Sequence, residues 1–425
     1  MCYSLNVPQP PITARVIESG FAEAHDTYNG LSDASDGRIY YVLCSDRHDV
    51  AGRMYRYDPA ADSVQFAGDL SEACGEGGQR AVSQGKSHVR FYEMDGKVYF
   101  ATHIGYYTLI DGRECAGVPP EGWQRYLGGH FLSYDMASGA FEDLALAPGG
   151  EGILTMSMDS VRGRLYAITW PTGRFLAFDL ASRRLDDLGP ISAEGEAGHG
   201  STYRTLCRSL AVDPRDGSVF YSISEGDLFR YSPDTGRIDA FEGVDLRRDY
   251  FGQYEIASPG HMAYNWRQTV WRPGEDVFYG VHGNSGYLFR FDPRARSLEL
   301  VERLTSGPSR RSGMFDQFSY GYLSFTLGHD NRTIHYLTGG PIPGQPRVSK
   351  DTAKGEAKGE ENLHYVTYDL DASEYCDHGA IFFPDGTRPA YVNSIAVGRD
   401  GTVYTLSRVP AGGAVRTDLI AFRRA

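Results

Sequence analysis

Two histidines bracket one hairpin of this chain. Residues 87–103, SHVRFYEMDGKVYFATH, read as two antiparallel strands joined by a tight Asp95-Gly96 turn, with His88 opening the first strand and His103 closing the second. Both imidazoles therefore come to the same open end. Variants of the hairpin recur along the chain, and aligning the copies puts Asn29, His88, Leu154, Arg208, Arg267, Leu323 and Asn393 at the first position. The second position holds Cys44, His103, Trp170, Ser224, His282, Gly339 and Arg408. A lone His or Arg at a strand end is more often a hydrogen-bonding partner in the scaffold than a catalyst. Six such groups gathered at one mouth favour another reading, because neighbouring cations repel and are best tolerated when an anion joins them. Segments 198–204, 260–266 and 318–322 lead into the same mouth and bring His199, Tyr203, Tyr264 and Tyr322. Aromatic faces suit a sugar ring and guanidinium suits a carboxylate, so the inventory fits a sugar acid.

The elements that must position these residues form a repeat. A second strand that starts with an aliphatic and an aromatic residue occurs at Ile39-Tyr40, Val98-Tyr99, Leu165-Tyr166, Val219-Phe220, Val277-Phe278 and Val403-Tyr404, and at Ile334-His335 with histidine in place of the aromatic. The recurring aromatics of this pair, Tyr166 among them, are core. A third strand follows, as in Met54-Tyr55-Arg56-Tyr57-Asp58 and Leu288-Phe289-Arg290-Phe291-Asp292, and then a short fourth. Four antiparallel strands at a pitch of roughly 45 to 65 residues describe propeller blades, each a small sheet that must stack on its neighbours to bury both faces. The expected fold is all-β: one domain over residues 1–425, a seven-bladed β-propeller of four-stranded blades. The last unit runs out after three strands, at 392–397, 402–407 and 417–422, and residues 13–18 are expected to supply its outer strand and so close the ring. Insertions stand out at 111–129, 191–202, 247–265 and 341–361, the last containing the charged low-complexity stretch 350–361, expected to be a mobile loop.

Composition agrees. Of 425 residues, 51 are glycine, 29 tyrosine and 21 phenylalanine, and long runs of helical periodicity are missing. The net charge of −13 argues against a general nucleic-acid or anionic-membrane binder. The six cysteines, at 2, 44, 74, 115, 207 and 376, show no metal-ligand spacing and read as mostly free thiols. Residues 1–11 have neither the basic start nor the apolar core of a signal peptide, and no apolar stretch approaches the roughly 20 residues that span a bilayer. A cytoplasmic protein is expected, or a secreted or periplasmic one if a signal peptide has been removed.

The His88–His103 hairpin with Ile104-Gly105-Tyr106-Tyr107, the stretch Gly128-Gly129-His130-Phe131-Leu132-Ser133-Tyr134-Asp135 and the seven-unit frame resemble the seven-bladed propeller polysaccharide lyases. These are the ulvan lyases and rhamnose-glucuronate lyases, with oligogalacturonate lyase a more distant relative. The resemblance implies β-elimination at uronate residues of an acidic oligosaccharide or polysaccharide, by two mouth histidines working with a tyrosine and an arginine. His88 and His103 match the histidine pair by position. Tyr203 with Arg208 is the first assignment for the other two, and Tyr264 with Arg267 the alternative. Trp170, His199, Tyr264, Arg267, His282, Tyr322 and Arg408 are the expected substrate-binding residues. The resemblance also raises a divalent metal (Zn, Ca or Mn), although no clear copy of the His-and-Gln cluster of oligogalacturonate lyase is visible.

The chemistry matches the inventory. Elimination across C4 and C5 of a uronate needs the carboxylate neutralised, the C5 proton removed and the leaving oxygen protonated. Arginine and histidine serve the first task, tyrosine or histidine the others. Arg208 and one histidine are expected to hold the carboxylate while Tyr203 acts as base, acid or both. The main alternative is a non-catalytic propeller that binds an acidic glycan or a protein partner, since fold alone does not fix function. A glycoside hydrolase would need two carboxylates in the mouth, and Glu225 alone lies near it. No GxSxG elbow, P-loop, HExxH or repeated Ser-x-Asp-x-Gly-x-Thr-Trp box is present.

Overall fold

A computed structural model describes residues 11–307, 310, 323–340, 362–389, 391–411 and 414–424. Tyr322, the 341–361 insertion and its charged stretch lie outside the described residues. Five sheets have four antiparallel strands each, hydrogen-bonded in chain order. In the first these are Leu31–Asp33, Ile39–Leu43, Arg53–Asp58 and Ser63–Asp69. The second takes Tyr92–Met94, Lys97–Ala101, His130–Asp135 and Phe141–Leu146. The third, fourth and fifth begin at Gly152–Asp159, Ala211–Val212 and Trp266–Arg272. A further eight-stranded sheet joins two four-stranded runs, one from Leu323–Leu327 to Glu374–Phe382 and one from Ala396–Val397 outward to Ile12–Ile17. Leu70–Ala73 is a short α-helix capped by Asp69, and among the described residues no helix is long and apolar enough to cross a membrane.

Burial explains why these sequences become these strands. The second strand of each run lies between two neighbouring sheets, so both of its faces are covered: all five residues of Ile39–Leu43 and all six of Val277–His282 are buried. A fourth strand such as Ser63–Asp69 is half-covered at most and carries polar residues. The aromatics of the recurring pair are core as expected, with Tyr40, Tyr99, Tyr166, Phe220, Phe278 and Tyr404 all buried. Each such ring contributes about 2 kcal/mol through burial. Apolar clusters bridge every successive pair of runs, and Tyr404, Leu406 and Leu419 of the last pack with Ile39, Tyr41 and Tyr55 of the first. The stack closes on itself.

The expected clasp is present. Strand Ile12–Ile17 pairs antiparallel with Ala414–Phe422, Ala14 facing Phe422 and Ile17 facing Leu419. It also pairs in parallel with the preceding run, through Ile12–Ile381 and Thr13–Phe382, which the sequence did not announce. The 87–103 hairpin departs from expectation in one respect. Asp95 and Gly96 both have positive φ (52° and 74°), as a two-residue hairpin turn requires, but the first strand starts at Tyr92 and not at His88. Residues before it are held by the first sheet instead: Asn29 Nδ2 donates to the His88 carbonyl (3.2 Å) and Phe91 N to Ser32 Oγ (3.1 Å).

Candidate functional site

Lys86, two residues before His88, exchanges both backbone hydrogen bonds with His103, at 3.1 and 2.8 Å. This bridge brings the opening histidine of the hairpin next to the closing one. Gly105 permits it, since a Cβ there would lie 1.9 Å from the Ser45 carbonyl oxygen. The His88 and His103 rings stand 5.7 Å apart, centroid to centroid.

Each imidazole is oriented by a carbonyl. His88 Nδ1 is 2.9 Å from Leu154 O and His103 Nδ1 is 3.0 Å from Ile104 O. A carbonyl only accepts, so both Nδ1 atoms carry the proton and both Nε2 atoms keep a lone pair. His103 is 1% exposed, and its Nε2 has no hydrogen-bond partner among the described residues. Burial holds both histidines well below the usual imidazole range, and the nearby Lys86 charge adds to it. Arg208 acts in the same sense on both, and Arg267 on His88.

Three rings and an ammonium complete the centre. The Tyr107 hydroxyl donates to Ile104 O (2.8 Å) and lies 3.2 Å from His103 Nδ1. Trp170 packs 5.5 Å from His103 and 5.3 Å from Tyr107. Tyr28 lies 5.1 Å from His88. Lys86 Nζ sits between the Tyr28 ring (3.7 Å) and the Tyr107 ring (4.3 Å), in a side chain that is 2% exposed. Sequence reasoning missed Lys86, Tyr28 and Tyr107 as site residues. The missed signal was a lysine in the otherwise small and polar run Ser83-Gln84-Gly85-Lys86-Ser87, flanked by tyrosines at strand ends.

Arg208 is close to the pair but engaged. Its Nη2 lies 2.6 Å from Glu196 Oε1, and Glu196 also accepts from Trp170 Nε1 (3.1 Å) and Leu206 N (3.1 Å). The carboxylate expected from a substrate is thus already supplied in part by the 191–202 insertion. Tyr203 directly follows that insertion and is buried.

Other expected residues are spread more widely. His282 is fully buried, stacked 4.1 Å from Phe251, and burial pushes it down to about 3. Its Nδ1 accepts from Ser285 N (3.3 Å) and Asn284 N (3.4 Å), so the proton is on Nε2, opposite to His88 and His103. The 247–265 insertion, which carries Phe251, folds over His282. Arg267 is buried and donates to Asn393 Oδ1 at 3.4 Å. Tyr264 is half-buried against Tyr254. Arg408 lies 3.3 Å from Asp26 and over the Tyr391 ring. His199 is exposed and 3.7 Å from Asp111, on a loop held to the 111–129 insertion by Arg113 Nη1 donating to Gly198 O (2.7 Å). Glu225, the hydrolase candidate, is bound by Arg204 at 2.5 Å.

A cavity of about 460 Å³ runs along the first strands of the runs and is lined at one end by His88, Arg208, Asn29 and Gln268. Gln268 Nε2 donates to Asn29 Oδ1 across it (3.3 Å), while Gln268 Oε1 accepts from Phe325 N (2.7 Å). Among the described residues no group of three or more His, Cys, Asp or Glu side chains is arranged to hold a metal ion. The histidine pair shares its surroundings with Lys86 and Arg208, so the described residues do not fit a divalent cation.

No family model and no curated protein matches the chain. Solved structures are similar in fold. A chain of the mitotic checkpoint complex aligns with TM-score 0.53 at 11% identity, over 99% of this chain and 94% of that one. The extracellular domain assigned to a one component system of B. thetaiotaomicron aligns with TM-score 0.50 at 12% identity, over 96% of this chain and 39% of that one. With the closed stack of four-stranded sheets, these likenesses identify the fold as a β-propeller.

Proposed function

We propose that the four-stranded runs are the seven blades of one propeller, and that the protein is a lyase cleaving uronate-containing oligosaccharides or polysaccharides by β-elimination. The observation that carries the reading is the histidine pair: two imidazoles 5.7 Å apart, each with Nδ1–H tied to a carbonyl and an Nε2 lone pair, beside the cations Lys86 and Arg208. A substrate carboxylate entering this field has its charge offset, which acidifies the C5 proton. The same anion relieves the repulsion that adds to burial in keeping the imidazoles weakly basic, so His88 or His103 becomes a better base once substrate is bound. Tyr107, which burial keeps protonated far above neutral pH, is the favoured donor to the leaving oxygen, with Tyr203 second. Trp170 offers a ring face to the sugar.

The test is ultraviolet absorbance of the protein with a panel of uronate oligosaccharides, including glucuronate-rhamnose and galacturonate types. Elimination creates a conjugated unsaturated uronate, so absorbance rises with a matching sugar and stays flat for His103→Ala. A flat trace with the native protein, accompanied by binding in calorimetry, would replace the lyase by a glycan-binding propeller. A flat trace without binding would overturn both.

A further inference from the structure

Arg90 follows His88 by two residues and faces the same cavity. Val89 and Phe91, on either side of it, pack into the apolar core, which turns Arg90 toward the open channel. There it lines the cavity of about 460 Å³ and also an adjoining one of about 320 Å³, with Tyr92, Thr326, Leu327 and His329 on the wall of both. We propose that the Arg90 end of the channel is a binding site for a small free oxyanion of the sulfate or phosphate kind, separate from the histidine mouth and taking no part in the elimination.

Charge is the first support. The chain carries −13 overall, yet the described residues that line the larger cavity include His88, Arg90, Arg208 and His329 and no Asp or Glu. Three of the four are engaged: Arg208 with Glu196 (2.6 Å), His329 with Asp33 (3.0 Å) and His88 with the Leu154 carbonyl (2.9 Å). Arg90 differs. Its half-buried guanidinium makes no hydrogen bond or ion pair among the described residues and stands 5.9 Å from the Tyr92 ring. Asp33 and Glu93 line the smaller cavity but serve other donors, Asp33 the His329 imidazole and Glu93 the Ser35 N–H at 2.7 Å. A guanidinium keeps its charge at any working pH and presents its N–H donors in one plane, a geometry that sulfate and phosphate oxygens match. Thr326 adds a hydroxyl from the wall common to both cavities. Size is the second support. The hydrogen bond from Gln268 to Asn29 (3.3 Å) crosses the cavity at its His88 end, so a sugar ring held at the histidines does not extend to Arg90, and the ligand there is small and free.

Calorimetry of the full chain with sodium sulfate and with sodium phosphate, at constant ionic strength, tests the site. One ion is expected to bind per chain, with affinity reduced about tenfold or more in Arg90→Met and by less in Arg90→Lys, which keeps the charge but loses the planar fork. Absence of binding by both ions would overturn the proposal, as would equal affinity in the native protein and a folded Arg90→Met variant, since the ion would then sit elsewhere. Glucuronate bound through Arg90 in place of either ion would make this end a sugar-acid subsite and overturn the free-ion assignment. Should Arg90→Met not fold, crystals of the native protein soaked in selenate decide: an anomalous peak at the Arg90 guanidinium supports the site, and a peak only at other residues, or none, overturns it. A flat ultraviolet trace with uronate oligosaccharides leaves a positive result standing, and failure of the ions to bind leaves the lyase reading untouched.

Discussion

The Arg208 guanidinium and the Glu196 carboxylate meet at 2.6 Å, with both side chains less than a tenth exposed. The arginine that the sequence marks as a carboxylate grip therefore rests on an internal carboxylate contributed by an insertion. A substrate carboxylate has to compete with Glu196 or share Arg208 with it. Glu196→Gln keeps an acceptor for Trp170 and Leu206 but removes the competing charge. The variant is expected to bind uronate oligosaccharides several-fold more tightly and to lose about 2 to 4 kcal/mol of stability, because a buried ion pair has lost one member. Calorimetry and thermal unfolding measure the two effects. Unchanged affinity would mean that Arg208 does not face the ligand.

Gly152 is the contact that sets the place of His103. A Cβ on this residue would lie 2.7 Å from His103 Nδ1, inside the space its hydrogen bond to Ile104 uses. Gly152→Ala is therefore expected to push the imidazole off its carbonyl while leaving the sheets intact. Loss of turnover by tenfold or more, with a native circular dichroism spectrum, is the expected outcome. Full activity would show that the orientation of His103 does not matter.

The strand pattern was legible because burial repeats. Each second strand is covered on both faces, so its aliphatic-aromatic pair is under the same packing demand in every run, from Tyr40 to Tyr404. The clasp was legible because an incomplete last unit leaves an edge that some strand must cover. Of the candidate site, the nearness of His88 and His103 was legible, although the bridge between Lys86 and His103 holds them together and not a strand that starts at His88. His282 occupies the position in the fifth run that His103 occupies in the second, and both are buried, but Phe251 of an insertion stacks on His282 whereas Trp170 of the next run packs on His103. Equivalence along the repeat predicts where a side chain starts, and insertions decide what covers it. Lys86 was missed for a related reason: its significance comes from Tyr28 and Tyr107, which are distant in sequence or lie across a turn.

Two groups of histidines should limit stability at opposite ends of the pH scale. Burial lowers His335 and His378 to about 4 and His282 to about 3. Their folded values lie below the unfolded one, so the unfolded chain takes up more protons as pH falls below about 6.5. Stability is expected to drop from there toward pH 4, by on the order of 3 kcal/mol for each group. His130 behaves oppositely. Burial disfavours its charge, but hydrogen bonds to Asp143 (2.9 Å) and Glu76 (3.0 Å) outweigh burial and raise it to about 9. Its contribution is full below about 6.5 and is lost as pH rises through about 9. Denaturant unfolding across pH should show both declines. His130→Asn should flatten the alkaline one and leave the acid one unchanged; an unaltered alkaline decline would contradict the assignment.

The strand that joins the chain ends offers a clean test of closure, because its two faces differ. Ala14 is fully buried opposite Phe422 and packs with Leu363, Ile381 and Ile420, whereas Thr13 points to solvent. Polar contacts secure the same strand from outside: Glu18 pairs with Arg416, and Ser19 N donates to Asp418 Oδ2 at 3.1 Å. If Ile12–Ile17 holds the last two runs together, a carboxylate at position 14 must either be buried unpaired or expel the strand. Both routes cost about 3 to 5 kcal/mol. Ala14→Asp is expected to lower the unfolding temperature by about 5 °C or more and to expose strand edges that promote association, while Thr13→Asp changes little. Equal behaviour of the two variants would mean that the ring holds without its clasp. In that case the apolar faces between the first and last runs, Tyr41 and Tyr55 against Leu406 and Leu419, would have to keep it closed by themselves.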